Sequence, residues 1–376
     1  MVDFSALPSP CFLLDEELFR RNLETIAGVA RKAGVEIIVA LKANATWRIF
    51  PVMREYVRSA TASSLAEARL VFEEFGSLAH TYAPAYTAKE IDELLGYSSH
   101  ITFNSLSQYE RFGATAREKK VSCGLRINPG YSPVKTALYN PCCKGSRLGV
   151  TPQQLTGLPE GIEGFHFHTL CESFSGDLRR TLKAVERHFG TYLPQLKWIN
   201  MGGGHLITHR EYDCEDLIRI LSDFRERYPN LTVILEPGSA FTWQTGWLTA
   251  TVEDIVRNGD TRTLMLNMSF ACHLPDCLEM PYKPAVLGAR DPEAGEKGWR
   301  LGGNSCLAGD MLGEWVFEQE PAIGDTIVFE DMIHYTMVKT TMFNGVSHPS
   351  IAIRECGGKI RVIREFGYKD YKNRMC

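Results

Sequence analysis

Short apolar runs alternate with amphipathic helical patterns through the first two-thirds of the chain. Residues 10–15 predict a strand, after which Asp15 caps a helix that extends to about Ala33. Gly34 is a natural helix stop, and residues 35–44 form a continuous apolar run, as expected of a strand buried on both faces. The further candidate strands before residue 240 are 59–62, 80–83, 100–103, 121–128, 164–168, 198–201 and 232–236. Helical patterns lie between them, among them 65–75, 89–95, 177–189 and 212–228.

This alternation has the length and period of a (β/α)8 barrel, which needs about eight strand–helix units in roughly 230 residues. A doubly wound open sheet is the alternative, but the glycines at 202–204 do not form the GxGxxG pattern of a dinucleotide site. After residue 240 the strand-like segments come at close spacing and turn residues separate them, which predicts a β-rich barrel or sandwich. These segments are 247–255, 262–269, 326–330 and 351–363. We therefore predict a barrel domain at 10–240 and a β-rich domain at 241–376, with the N-terminal strand (about 1–14) packing with the latter.

Composition excludes several classes of protein. The 376 residues are 44% hydrophobic and 23% charged, which is typical of a folded soluble chain. The net charge is −4 and the sequence contains no basic stripe, so sequence-independent nucleic-acid binding is not expected. No apolar run reaches the roughly 18 residues that span a bilayer. Eleven cysteines, an odd number without CxxC pairs, indicate a reducing cytoplasm and neither a disulfide framework nor a metal site.

Polar residues at predicted strand ends are the first candidates for chemistry, because functional groups of such barrels lie at the C-terminal face. Lys42 ends an apolar strand. Desolvation at such a position lowers the pKa of an amine and suits it to Schiff-base formation. The alternative is an ordinary solvated lysine at a strand end. Glu236 can hold a proton on a heterocyclic nitrogen, or it can pair with Arg126. His168 can stack on a flat ring or be a core histidine, and His166 shares its strand face, so we expect at most one of them to stack.

Glycine-rich turns supply the second group of candidates. Backbone amides at Gly202–Gly204, just before a helix, can bind an anion, although an ordinary turn has the same pattern. In the β-rich part, Cys306 lies in a glycine-flanked turn near Asp310 and is either a proton donor or an inert buried cysteine. The Tyr335 hydroxyl is a candidate phosphate ligand or a packing residue.

Together, and in this order, these segments resemble the fold-type III, alanine-racemase-like decarboxylases that use pyridoxal 5′-phosphate (PLP), which include ornithine, arginine and diaminopimelate decarboxylases. The resemblance covers nearly the whole chain and rests on PSPCFLLD, LKAN, ASSLAE, LRINPG, HFHTLCE, NMGGGH, EPGS, SCLAGD and HYT. The segments CHLPDCLEMPY (272–282) and GNSCLAGD (303–310) are the most specific, and they are similar to the branch that decarboxylates carboxylated polyamines on the way to spermidine and norspermidine.

The resemblance implies a role for each matching residue. Lys42 would bind PLP as a Schiff base, His168 would stack on the pyridine ring, and Glu236 would pair with the ring nitrogen. The other residues that it implies at the cofactor are Gly203, Gly204, Gly238, Ser239, Tyr335 and Arg126. Cys306 would reach across a homodimer interface into the neighbouring subunit's site and protonate Cα.

The resemblance also implies how a substrate would be held. Asp276 and Glu279 would face its amine tail, and Asp310 would assist. Glu236 and Ser239 would also contact the substrate.

Two departures from the family pattern bear on these roles. Ser239 replaces the arginine of EPGR that contacts the phosphate in ornithine and diaminopimelate enzymes, so backbone amides must contribute more. Leu307 replaces the glutamate of CESGD in diaminopimelate enzymes and the aspartate that follows the cysteine in ornithine enzymes. Those decarboxylases, a racemase, or a non-catalytic PLP-binding homologue are the alternatives, and the last is disfavoured because Lys42 and Cys306 are both present.

Overall fold

The computed structural model describes residues 2–280 and 282–376 and divides into two compact units. One unit contains residues 22–241, and the other contains residues 2–21 and 242–376. The strands are, in chain order, β1 (Cys11–Asp15), β2 (Glu36–Ile37), β3 (Val39–Ala40), β4 (Ala60–Ala62), β5 (Ala79–Tyr82), β6 (Ser98–Phe103), β7 (Ser122–Arg126), β8 (Ile162–His166), β9 (Trp198–Asn200), β10 (Thr232–Leu235), β11 (Gly246–Asn258), β12 (Thr261–Leu266), β13 (Ala289–Arg290), β14 (Trp299–Gly302), β15 (Met311–Phe317), β16 (Thr326–Glu330), β17 (Ser350–Arg354) and β18 (Ile360–Arg364). The α-helices are α1 (Glu16–Ala33), α2 (Phe50–Met53), α3 (Leu65–Leu70), α4 (Ile91–Gly96), α5 (Leu106–Glu118), α6 (Ser175–Phe189), α7 (Cys214–Arg227), α8 (Ser239–Thr242), α9 (Phe270–His273), α10 (Pro275–Glu279) and α11 (Tyr368–Met375). None of the helices described is long and apolar enough to cross a membrane.

The sheet of the 22–241 unit closes on itself. Its strands are all parallel in the order β2-β10-β9-β8-β7-β6-β5-β4-β3. Because β2 and β3 are two halves of one stretch that is interrupted at Ile38, this stretch pairs with β10 on one side and with β4 on the other. The closed sheet and its surrounding helices confirm the predicted (β/α)8 barrel.

The outer helices follow the amphipathic pattern of the sequence. In α6 the buried apolar side chains are spaced three or four residues apart, at Leu178, Leu182, Val185 and Phe189, so they form one face that can pack against the sheet. Serines begin two of the other helices: Ser64 Oγ accepts the N–H of the third residue of α3, and Ser105 does the same for α5.

Trp198 fills the barrel interior near the N-terminal ends of the strands. A Cβ at Gly124 would lie 2.3 Å from its ring, and a Cβ at Gly164 would lie 2.0 Å from it. The indole Nε1 donates to Ser122 Oγ at 2.9 Å, and His100 contacts the ring edge-on at 5.3 Å. The glycines on β7 and β8 therefore make room for a large side chain from β9.

The second unit is built on a nine-stranded mixed sheet in the order β13-β15-β14-β12-β11-β1-β17-β18, with β16 also paired to β11. The N-terminal strand β1 lies between β11, antiparallel, and β17, parallel. Arg354 on β17 contacts the buried carboxylate of Asp15 at 2.6 Å. The expectation of one strand-like segment over 351–363 is wrong, because Gly357 and Gly358 take left-handed φ values of 90° and turn the chain into the β17–β18 hairpin.

Candidate active site

Lys42 lies in the turn after β3, at the C-terminal end of the barrel strands. The side chain is half-buried, and desolvation lowers the pKa of its amine. The charge of Glu236 opposes this shift, while that of Arg126 adds to it. A lysine in this environment loses its proton more readily than one in water, which suits it to attack a carbonyl carbon.

Glu236 follows β10 and is only 7% exposed. Its Oε1 lies 3.2 Å from His166 Nε2, and its Oε2 accepts a hydrogen bond from Asn200 Nδ2 at 2.9 Å. Burial alone would raise the pKa of this carboxyl, but His166 and the charge of Lys42 outweigh burial and hold it well below its ordinary value. The alternative that Glu236 pairs with Arg126 is not what the structure shows, because His166 and Asn200 hold both oxygens.

His168 is held in one orientation by the glycine loop. Its Nδ1 accepts the backbone N–H of Gly203 at 3.0 Å, so the proton of the neutral ring is on Nε2. Desolvation and the charge of Lys42 lower the pKa of His168 well below its ordinary value. Its carbonyl accepts from Arg126 Nη2 at 3.2 Å. The Gly203 N–H, which was expected to bind phosphate, is therefore already engaged by His168.

The loop at Gly203 and Gly204 is one that other residues could not form. A Cβ at Gly203 would lie 2.3 Å from the Glu236 carbonyl oxygen, and a Cβ at Gly204 would lie 2.2 Å from that of Leu170. Next to them, His205 is buried, and within the described residues neither of its ring nitrogens has a protein partner. Buried polar atoms without partners indicate a place for a bound polar group or a water. Gly238 and Ser239 are also buried, where the chain enters α8.

The other predicted residue of the barrel, Arg126, is 4% exposed. Its guanidinium lies 4.7 Å from the centre of the Tyr82 ring. Arg126 therefore contacts the Tyr82 ring and the His168 carbonyl, and it does not form an ion pair with Glu236.

Cys306 belongs to the second unit and is exposed. Its backbone N–H donates to Asn344 Oδ1 at 2.8 Å. Asp310 is 4% exposed, and its two oxygens accept the N–H groups of Ala271 and Ser305, each at 3.0 Å. The observed contacts of Asp310 therefore fix the turn that carries Cys306, and its expected contact with substrate stays a prediction.

Asp276 and Glu279 lie close together on α10. Lys339 Nζ contacts Asp276 Oδ1 at 2.7 Å and also contacts Glu279 Oε2. These two hydrogen-bonded carboxylates outweigh desolvation and raise the pKa of Lys339. Tyr335, also in this unit, is half-buried and has a left-handed φ of 43°.

Sequence reasoning missed several neighbours of these groups. One is Asn200, although the segment NMGGG places it two residues before the glycines. Cys171, within HFHTLCE, lies close enough to Lys42 to affect the pKa of its amine. For Lys339 no signal exists, because 63 residues separate it from Asp276.

Comparison with known proteins identifies the family. The family model described as "pyridoxal-dependent decarboxylase, C-terminal sheet domain" matches residues 11–333. The chain belongs to the pyridoxal-dependent decarboxylases. This decarboxylase is 51% identical to the carboxyaminopropylagmatine decarboxylase of Synechocystis, over 99% of this chain and 96% of the relative. It is 40% identical to the carboxynorspermidine/carboxyspermidine decarboxylase of Campylobacter jejuni, over 99% of both.

Solved structures give the same result. The crystal structure of the Campylobacter jejuni carboxynorspermidine decarboxylase complexed with norspermidine has a TM-score of 0.91 and 39% identity, over 98% of this chain and 100% of that one. The Helicobacter pylori diaminopimelate decarboxylase complexed with L-lysine, at 18% identity, matches at a TM-score of 0.84 over 99% and 98%, which shows the shared fold. These matches confirm the predicted family, the PLP cofactor and the similarity to the polyamine branch.

The barrel residues fit PLP. Lys42 would bind the cofactor covalently, Glu236 would face its ring nitrogen, and the ring of His168 would lie against its face. Next to the glycine loop, the unpartnered ring nitrogens of His205 offer polar atoms for its phosphate end.

Proposed function

We propose that this decarboxylase removes the α-carboxylate of a carboxylated polyamine, namely carboxynorspermidine or carboxyspermidine. The observation that carries the chemistry is the buried Glu236 carboxylate together with Lys42, in a barrel mouth where His168 is kept neutral and fixed. The names of the full-length relatives support the substrate. A second candidate is carboxyaminopropylagmatine, which is favoured by the higher identity to the Synechocystis enzyme.

When bound, PLP withdraws electrons from Cα and so lets the bond to the α-carboxylate break. Lys42 would hold the cofactor, and the lowered pKa of its amine suits it to bind a carbonyl carbon and to leave it again. Glu236, whose pKa lies well below its ordinary value, would be ionised and would keep a proton at the cofactor's ring nitrogen. Cys306 of a second subunit would supply the proton that Cα takes up when the carboxylate leaves.

The cluster of Asp276, Glu279 and Lys339 supports a cationic substrate tail. Two carboxylates share one ammonium, so the cluster has a net negative charge and can accept a further cation. Ordinary surface solvation of both acids is the alternative. If the cluster holds the tail, Asp276→Asn raises KM for a polyamine substrate more than for a neutral-tailed analogue, while an equal effect on both excludes this role.

A homodimer with shared sites is supported by the surface around Cys306. Large apolar side chains flank it on two loops that the Cys306–Asn344 hydrogen bond joins: Leu307 is 48% exposed and Phe343 is 51% exposed. Such exposed apolar groups commonly mark an interface. Mixing Lys42→Ala with Cys306→Ala chains is expected to restore partial activity through hybrid sites, and no rescue after verified subunit exchange would refute a shared site.

The proposed compartment is the reducing cytoplasm, since all eleven cysteines are free thiols.

The deciding experiment measures carbon dioxide release by the PLP-loaded enzyme from carboxynorspermidine, carboxyspermidine, carboxyaminopropylagmatine, diaminopimelate and ornithine. We expect the highest kcat/KM on one of the first two. A preference for carboxyaminopropylagmatine would select the second candidate, and a preference for diaminopimelate or ornithine would overturn both. Lys42→Ala is the negative control.

A further inference from the structure

Three polar side chains lie side by side inside the barrel, two on adjacent strands and the third directly after the next strand. The register pairs His166 on β8 with Asn200 on β9, and Asn200 with Ile234 on β10, two residues before Glu236. His166 is 1% exposed, Asn200 is 5% exposed and Glu236 is 7% exposed. Water therefore does not replace the hydrogen bonds that these groups make with one another.

The donors in this group are fixed by their other contacts. Asn200 Oδ1 accepts the backbone N–H of Gly202 at 2.9 Å, which leaves Nδ2 to donate to Glu236 Oε2. A carboxylate can only accept, so His166 must carry its proton on Nε2 to bond Glu236 Oε1. Its Nδ1 is buried and has no protein partner within the described residues.

His166 acts as a neutral donor. Burial lowers the pKa of His166, although the charge of Glu236 opposes the shift. Arg126 and Lys42 lower its pKa further, and the titratable side chains of His168 and Tyr82 also interact with it. The effect on Glu236 at neutral pH is therefore that of an oriented N–H, without a charge of its own.

Each hydrogen bond donated to a carboxylate stabilises its ionised form. A carboxylate with two such donors competes less well for a proton that it shares with a nearby base. In the proposed site that base is the ring nitrogen of PLP.

We propose that His166 and Asn200 are positioning residues, which together hold Glu236 ionised and oriented so that the shared proton stays on the ring nitrogen. This inference rests on the proposed function only in that PLP occupies the barrel mouth. It assigns His166 a role distinct from that of His168, which the glycine loop orients instead.

The test uses enzyme loaded with PLP that carries 15N at the ring nitrogen, without substrate. The NMR shift of this nitrogen reports whether it is protonated. In His166→Leu and Asn200→Leu we expect the shift to move towards that of unprotonated pyridine. We also expect PLP to bind about tenfold more weakly, because a hydrogen bond to the charged Glu236 is lost. His166→Gln keeps an amide donor and is expected to restore part of both signals.

His100→Leu is the matched control. His100 is also inside the barrel, where it stacks on His80 at 4.0 Å and bonds Ser99, not Glu236. We expect it to lower stability without moving the 15N shift. If one leucine variant fails to fold, the other decides.

An unchanged 15N shift and PLP affinity in a folded leucine variant would overturn the inference. The two proposals fail separately. A protonated ring nitrogen that responds to His166→Leu, in an enzyme that decarboxylates none of the polyamine substrates, would refute the proposed function and leave this inference standing.

Discussion

Replacing Asp310 with asparagine separates a scaffold role from a substrate role. In the structure both carboxylate oxygens accept backbone N–H groups, from Ala271 and from Ser305, and the group is 4% exposed. Asparagine keeps one acceptor and points an amide N–H at the other donor. Losing a charged hydrogen bond and leaving a buried donor unpaired costs about 3 kcal/mol. For a unit of this size, such a loss lowers Tm by about 6–12 °C.

The same substitution is expected to lower kcat, because Ser305 precedes Cys306 and the turn loses a contact that places the thiol. A displacement of about 1 Å at a reacting group costs up to about a hundredfold in rate. We therefore expect kcat to fall ten- to a hundredfold on every accepted substrate, with little change in KM. Steady-state kinetics and thermal unfolding of Asp310→Asn provide both numbers.

Asp260→Asn is the control, because that carboxylate is 86% exposed and pairs only with Lys297 among the described contacts. It should change neither kcat nor Tm. If Asp310→Asn instead raised KM for cationic-tailed substrates at unchanged Tm, Asp310 would be a substrate ligand and the scaffold reasoning would be wrong.

Three further substitutions test the packing. Burial lowers the pKa of His80 from 6.5 to about 3, so the ring stays neutral in the folded barrel. Its contribution to stability is complete above pH 6.5 and is lost as pH falls, so wild type should lose about 2 kcal/mol of unfolding free energy between pH 7 and pH 5 that His80→Phe does not lose. Urea unfolding measures this difference, and equal pH dependence in both proteins would contradict it. Gly164→Ala places a Cβ 2.0 Å from the Trp198 ring and should destabilise by about 1–3 kcal/mol, with partial rescue by Trp198→Phe. Arg354→Met leaves the buried Asp15 carboxylate without its cationic partner, with only the Leu18 N–H at 3.1 Å on its other oxygen, and should cost about 3 kcal/mol by thermal unfolding. An unchanged Tm would show that the pair contributes nothing.

The barrel and its polar strand ends were predictable from the sequence because parallel strands impose a period and a common edge. Lys42, His168 and Glu236 each follow an apolar run, so the topology alone brings them to one end of the barrel. The irregular segments of the second unit carry no such period. Asp276 and Lys339 meet across 63 residues of mixed structure, and neither side of that contact has a pattern that predicts it.

Local turn chemistry explains the misjudged hairpin. The run 351–363 is rich in β-formers on both sides of Gly357 and Gly358, and period alone does not distinguish a long strand from two short ones. The paired glycines, both in the left-handed region, were the available signal for the turn.

The two inward-facing histidines, His166 and His168, have different roles, and these depend on the residues of the neighbouring strand and loop. His166 is level with Asn200, and both reach the carboxylate of Glu236. Two residues later, a Cβ at Gly202 would lie 2.7 Å from His168 Cα, so only glycine lets the chain pass close enough for Gly203 to donate to the His168 ring. The HxH spacing places both rings on one face, and the order asparagine then glycine beside them decides which ring supports the carboxylate and which ring faces the mouth of the barrel.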